Sequence, residues 1–260
     1  MFEPINDLSR ARILVSNDDG IDAPGIKVLE RVARSLSNDV WVVAPAAEQS
    51  AVAHSLTVRR PLRLIQRGPR HFAVDGTPTD SVLLGVRQVL KDRRPDLVLS
   101  GINWGCNLGE DVTYSGTVAA AMEGTLLGIP SIAFSQVVNG DEPARWSTAE
   151  HWAGEIVKRL ASIGWPANVL INVNFPDVPH DAVTGIETAT QGKRKLADEL
   201  SERIDPRGQP YYWVGGQRQD DWGTPGSDLD AVSRGAVSVT PLCVDFTDVQ
   251  AMARLEAVLK

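Results

Sequence analysis

Two neighbouring aspartates, Asp18 and Asp19, sit between Asn17 and Gly20, directly after the apolar run Ile13-Leu14-Val15. Carboxylates held together repel unless a cation or a shared proton neutralises them. Inside a strand the two side chains would point to opposite faces; at a strand end entering a glycine turn, both bend toward one point. Joined by a hydroxyl and an amide oxygen, they make a hard oxygen donor set, suited to Mg²⁺, Mn²⁺ or Ca²⁺ rather than Zn²⁺. The competing account of the dipeptide is an ordinary acidic turn.

A second segment has complementary chemistry. Asn103 to Thr117 reads Asn-Trp-Gly-Cys-Asn-Leu-Gly-Glu-Asp-Val-Thr-Tyr-Ser-Gly-Thr and leads into a small-residue helix. Gly105 and Gly109 permit close backbone approach. Ser115, Gly116 and Thr117 put hydroxyls and N–H groups at a helix N-terminus, where anions bind. A divalent cation facing an anion site is what phosphate-ester chemistry needs; a glycine-rich loop capped by Ser115 is the alternative. There is no Gly-x-x-x-x-Gly-Lys-Ser/Thr loop, no His-Glu-x-x-His, no Gly-x-Ser-x-Gly and no Gly-x-Gly-x-x-Gly. His54 is the one histidine near a candidate site loop, either as a surface residue or as a substrate contact. Cys106 lies in the site loop without a designated base, which is weak ground for a nucleophile.

These residues need elements to position them. Ile13–Val15 and Val40–Ala44 read as strands buried on both faces, and Pro24–Leu36 between them has helical apolar spacing with proline in the first turn. Short strands are expected at Leu62–Gln66 and His71–Val74, then a helix from Thr79 to Leu90 and a strand at Leu97–Leu99. A helix over Ser115–Leu127 and a strand over Ile129–Phe134 follow. Ser147–Ile163 reads as a helix capped by Ser147 with Glu150 three residues on, and Val169–Val173 as a further strand. This alternation predicts a doubly wound α/β sheet, whose ligands bind beyond the carboxyl ends of the strands. After Pro176 the pattern changes. Thr184–Thr190 and Val237–Val239 read as strands around a stretch rich in Gly, Pro, Trp and Tyr (Tyr211-Tyr212-Trp213, Gly215-Gly216, Trp222-Gly223), with a final helix near Val249–Leu259. Such aromatic hairpins suit a subunit contact better than a ligand pocket.

Composition bounds the function. The 260 residues carry 26 Lys plus Arg against 33 Asp plus Glu, a net charge of −7, so no field attracts nucleic-acid polymers or anionic membranes. Two cysteines exclude a disulfide scaffold and suit a reducing compartment. There is no apolar stretch of roughly 20 residues to span a membrane, and Met1–Ala11 lacks an apolar leader core. A cytoplasmic protein is expected.

Several segments together carry a resemblance. They are Ser16-Asn17-Asp18-Asp19-Gly20 with Ala23-Pro24-Gly25-Ile26, Val42-Val43-Ala44-Pro45 with Ser50, and His54-Ser55-Leu56-Thr57. Gly76-Thr77-Pro78-Thr79-Asp80, Ser100 through Gly109, Tyr114-Ser115-Gly116-Thr117-Val118 and Ala121-Met122-Glu123-Gly124 continue the series. In this order they resemble the SurE (survival protein E) family of metal-dependent nucleotidases, densely over about residues 11–136 and more loosely at Asp205–Gly208 and Asp228–Leu242. The resemblance implies a Rossmann-like three-layer α/β/α domain spanning 1–260. Its core covers about 11–176; a hairpin oligomerisation region and C-terminal helix, about 177–260, make a homodimer or homotetramer. It implies a cytoplasmic phosphatase that converts nucleoside 5′-monophosphates to nucleoside and phosphate, with 3′-nucleotides and polyphosphate as further substrates. It assigns one divalent cation per subunit (Mg²⁺, Mn²⁺ or Ca²⁺) to Asp18, Asp19, Ser50 and Asn103, with Asp18 and Asp19 catalytic. Asn17, Asn107, Ser115, Gly116 and Thr117 are the expected phosphate contacts. Attack by water, or through an aspartyl-phosphate, fits this set. Two residues depart from the family pattern: Ala46 replaces an acid and Ala51 a glycine. The rival functions are a nucleotide-binding module without turnover and a phosphatase for a non-nucleotide phosphomonoester.

Overall fold

The computed structural model describes residues 1–140, 143–195, 200–214, 219–220 and 223–259. Gly215, Gly216 and Trp222 of the aromatic stretch lie outside the described residues. Strand β1 (Arg12–Ser16), helix α1 (Pro24–Leu36) and strand β2 (Asp39–Pro45) open the chain. In α1, Ile26, Leu29, Val32, Ala33 and Leu36 form one buried stripe, as the spacing requires. Each Leu or Ile so buried contributes roughly 1.5–3 kcal/mol. Next come β3 (Leu64–Gly68), β4 (His71–Val74), α2 (Pro78–Leu84) and β5 (Leu97–Trp104), then α3 (Gly116–Leu126), β6 (Ser131–Gln136), α4 (Trp146–Ala161) and β7 (Val169–Phe175).

The main sheet has nine strands. Its middle runs β4-β2-β1-β5-β6-β7, all parallel. The order reverses at β1, which has β2 on one side and β5 on the other, so a crevice opens between the carboxyl ends of β1 and β5. Side chains alternate between the two faces of β1: Ile13 and Val15 join the core under α1 and α4, and Leu14 joins the core under α2 and α3. The three layers of the expected α/β/α fold are thus present.

The sheet continues past residue 176. β8 (Ile186–Thr188) and β13 (Val237–Cys243) complete it beside β7, with β13 antiparallel to β7. Between them lie β9 (Arg194–Lys195), β10 (Leu200–Ile204), β11 (Pro210–Val214), β12 (Gln219–Asp220) and α5 (Asp228–Ser233). β10 and β11 form a separate antiparallel pair. The chain's last helix, α6 (Val249–Leu259), buries none of its side chains.

Two helix starts differ from the sequence reading. α4 begins at Trp146 after Arg145, with no side-chain cap, because Glu150 is drawn to Arg31 of α1 at 2.8 Å. α2 begins at Pro78 behind Thr77, whose hydroxyl and the Asp80 carboxylate form a capping box. The expected single helix to Leu90 widens into a looser turn over Gly85–Val89.

Candidate active site at the sheet switch point

The aspartate pair leaves β1 through a turn that Asn17 closes, its side-chain amide donating to the Gly20 carbonyl at 2.9 Å. Asn17 is fully buried beneath this turn and is not part of the cleft wall. Asp18 points toward the start of α3. A side chain at Gly116 would place its Cβ 2.6 Å from the Asp18 Cβ, so only glycine lets the helix come this near. Thr117, itself fully buried, then donates its hydroxyl to Asp18 Oδ1. Gly116 and the Thr117 side chain thus pack against the Asp18 carboxylate and hold it. The reason is the direction of α3, which presents its first turn to the end of β1.

The second aspartate lies nearer solvent, and its Oδ2 accepts from the Trp104 backbone N–H at 3.3 Å. Burial raises the pKa of both groups. For Asp19, burial and the neighbouring Asp18 charge push it up to about 7. For Asp18, burial dominates and the Thr117 hydroxyl opposes it. Two carboxylates that both resist ionisation form a site short of positive charge.

Asn103 ends β5, just past an irregularity in its pairing with β6 between Ser100 and Asn103. Its side-chain N–H₂ donates to the Gly105 carbonyl at 2.9 Å. Its Oδ1 therefore faces the other way, toward the Thr117 hydroxyl 3.4 Å distant and the Asp18 side of the cleft. Ser50 lies at the rim, in the loop after β2, with its hydroxyl donating to Glu48 at 2.8 Å. The loop is tied down from several sides: Gln49 N–H donates to the Asp18 carbonyl at 2.8 Å, Ala53 N–H to the Tyr114 carbonyl at 3.1 Å, and His54 Nε2 meets Glu123 at 3.0 Å. Ala51, at the position where the family carries glycine, has φ 58°. A left-handed alanine costs roughly 1–2 kcal/mol, so the loop is held against that strain.

Asp18, Ser50, Asn103, Asn107 and Ser115 line one cleft of about 410 Å³. Ser115 caps α3, accepting from Val118 N–H at 3.0 Å, while it borders the cleft. Asn107 is nearly buried; its amide donates to Ser135 at 2.8 Å, and its carbonyl accepts from Asn172 and Asn174. The cleft also includes residues that sequence reasoning did not single out, Asp111, Tyr114 and Arg194 among them. Asp111 and Tyr114 fall in the segment read as a site loop, but nothing in their types marked them. Arg194 lies far along the chain, where no local signal pointed to this edge.

Among the described residues no three His, Cys, Asp or Glu side chains gather into a metal centre. The donor set here is different in kind: two crowded carboxylates, a hydroxyl and an amide oxygen. Its charge and hardness fit one small divalent cation rather than zinc.

A protein-family model described as Survival protein SurE matches residues 13–198. A protein of Paramagnetospirillum magneticum called 5′-nucleotidase SurE is 65% identical over 98% of each chain. A protein of the same name from Rhodospirillum rubrum is 58% identical, again over 98% of each chain. The crystal structure of a SurE protein from Aquifex aeolicus aligns with TM-score 0.84 at 42% identity, covering 96% of this chain and all of that one.

Proposed function

Because the chain belongs to the survival protein SurE family, we propose that it hydrolyses nucleoside 5′-monophosphates to nucleoside and inorganic phosphate. The observation that carries the reading is Asp18, held by Thr117 at the start of α3 and lining the cleft, with Asp19 next to it and raised in pKa by burial and by the Asp18 charge. In this reading Asp18, Asp19, Ser50 and Asn103 hold one divalent cation, Mg²⁺, Mn²⁺ or Ca²⁺. When bound, it neutralises the carboxylates and polarises the phosphoryl oxygens.

The chain's own groups do the rest. Thr117 keeps Asp18 oriented and stabilises its charged form through its hydroxyl. Asn103 is locked by Gly105 with its oxygen toward the cation side. The Ser115 hydroxyl and the backbone N–H groups of Gly116 and Thr117 at the start of α3 donate to the phosphate, where the helix dipole favours negative charge. Asn107 borders the same space. Asp19, less buried than Asp18, orients a water in line with the leaving ribose oxygen and takes its proton as the new P–O bond forms; the P–O bond to ribose breaks, and the proton returns through solvent to the ribose oxygen. An aspartyl-phosphate route would use the same two carboxylates. The open cleft also suits 3′-nucleotides and polyphosphate, which enter as further substrates.

Association belongs to the proposal. Tyr212, Trp213, Ile204 and Val214 of the β10–β11 hairpin are exposed, as are Met252, Leu255 and Val258 of α6. Apolar surface of this extent on two projecting elements favours a homodimer or homotetramer. Among the described residues no helix is long and apolar enough to cross a membrane. A cysteine content of two supports the cytoplasm as the proposed location.

The test is phosphate release from AMP and GMP with Mn²⁺ or Mg²⁺, against EDTA-treated protein. Turnover lost on chelation and regained with Mn²⁺ is expected. Undiminished turnover in EDTA removes the cation from the reaction, and tight AMP binding without phosphate release makes the protein a binding module.

A further inference from the structure

The cleft is walled on one side by a residue from the C-terminal part of the chain. Arg194 of β9 is 7% exposed and is the one cationic side chain among the described residues that line the cleft. Its Nη1 meets Cys106 Sγ at 2.6 Å and its Nε lies 3.4 Å from Asp111 Oδ2. Its backbone N–H donates to Glu110. The segment before it is stapled to the site loop by a buried carboxylate: Asp228 accepts from Gly109 N–H at 2.9 Å and from Gly192 N–H at 2.8 Å. Gln191 adds a bond to the Gly109 carbonyl at 3.0 Å. The guanidinium thus rests on Cys106 and Asp111 while Glu110, Asp228 and Gln191 hold the backbone around it, at the edge of the space that Asp18, Asn103 and Ser115 share.

Resting on the phosphomonoesterase reading above, we propose that Arg194 is a phosphate-binding residue of the active site. It meets the oxygens of the substrate's phosphate from the side opposite the aspartate pair. The charge balance of the cleft supports this. Asp18, Asp19 and Asp111 carry the negative charge here, and a divalent cation together with Arg194 would offset it. Arg194 is the one cationic lining side chain among the described residues, and a guanidinium keeps its N–H donors for phosphate at any working pH. A guanidinium has five N–H donors in a planar fork, enough to lean on Asp111 and hold a phosphate together. With Asp111 3.4 Å from its Nε and Cys106 2.6 Å from its Nη1, the buried guanidinium is largely ordered before phosphate arrives, which lowers the ordering cost at binding. Because the contact is with phosphate rather than with the base or sugar, Arg194 binds substrate and inorganic phosphate product alike.

The experiment compares wild type with Arg194→Gln, Arg194→Lys and Asp111→Asn in Mn²⁺. It uses calorimetric titration with inorganic phosphate and steady-state hydrolysis of AMP. For Arg194→Gln the dissociation constant of phosphate and the KM for AMP should both rise roughly 10- to 100-fold, the effect of losing a charge-assisted hydrogen bond. Mn²⁺ affinity should stay at the wild-type value. Arg194→Lys, which keeps the charge without the fork, should fall between and guards against a glutamine variant that fails to fold. Asp111→Asn should still bind phosphate. Folded Arg194 variants with wild-type phosphate affinity and KM would overturn the assignment while leaving the nucleotidase reading intact. Phosphate binding lost on substitution, in a protein that turns over no AMP, would keep the anion site and sink the nucleotidase reading instead.

Discussion

The crevice at β1 and β5 and the hairpin β10–β11 are built by opposite rules. In the crevice, polar residues are held by specific partners, Asp18 by Thr117 of α3, Asn107 by Ser135 of β6 and Asn174 of β7, and Asn103 by the turn at Gly105 that follows it. In the hairpin, apolar residues stand in solvent and, among the described residues, pair in a two-stranded ladder. Buried polar groups must be satisfied, which makes the crevice rigid and costly to alter. Exposed apolar groups gain from a partner surface, which makes the hairpin a place to associate. If the hairpin carries the proposed association, chemistry and assembly lie in different regions, and substitutions in one should spare the other.

The largest effect should come from Asp19→Asn, which removes a carboxylate from the donor set without changing its shape. Phosphate release from AMP should drop on the order of 10³-fold, with the oligomer unchanged by light scattering. A matching loss of association would break the separation. Thr117→Val and Gly116→Ala act one step back, by freeing or displacing Asp18. Each should cost roughly 10- to 100-fold in Mn²⁺ affinity or turnover, as for groups that orient a metal ligand; calorimetric titration with Mn²⁺ reads this. Trp213→Glu in the hairpin should leave kcat near the wild-type value and convert the oligomer to a single-chain species on size-exclusion with light scattering.

The smallest effect sharpens the comparison through pH. Asp19 has a folded-state pKa of about 7, above the ordinary carboxylate value of 3.8, because burial and Asp18 disfavour its charge. The folded protein therefore binds more protons than the unfolded chain between these values. The stability this group contributes is fully present below about pH 4 and is lost as pH rises through 7. Metal-free wild type should lose several degrees of Tm over that window relative to Asp19→Asn. Mn²⁺ should restore it above pH 7, while Trp213→Glu keeps the wild-type profile. A flat difference between wild type and Asp19→Asn would mean that the carboxylate is not crowded as described.

The elements were largely legible because their signals are local. The apolar stripe of α1 from Ile26 to Leu36 and the unbroken Ile13-Leu14-Val15 need only periodicity to be read. The start of α4 was not legible, since Glu150 serves Arg31, 119 residues away, rather than its own helix end. The site divides in the same way. Asp18 and Asp19 stand out as adjacent acids at a strand end, and Ser115 as a cap three residues before Val118.

Residue order alone determined the alternating elements, the acidic pair at the end of the first strand and the membership of the SurE family. Only the folded chain decided which polar groups face the cleft. Thr117 and Gly116 were drawn against Asp18, Ser50 was left at the rim, and Arg194 was brought to Cys106 across 88 residues. Periodicity and turn chemistry act over a few residues and leave their mark in the string. The direction of a side chain at a strand end, or a bond between distant segments, depends on how whole elements pack, and packing is settled only when all of them are in place.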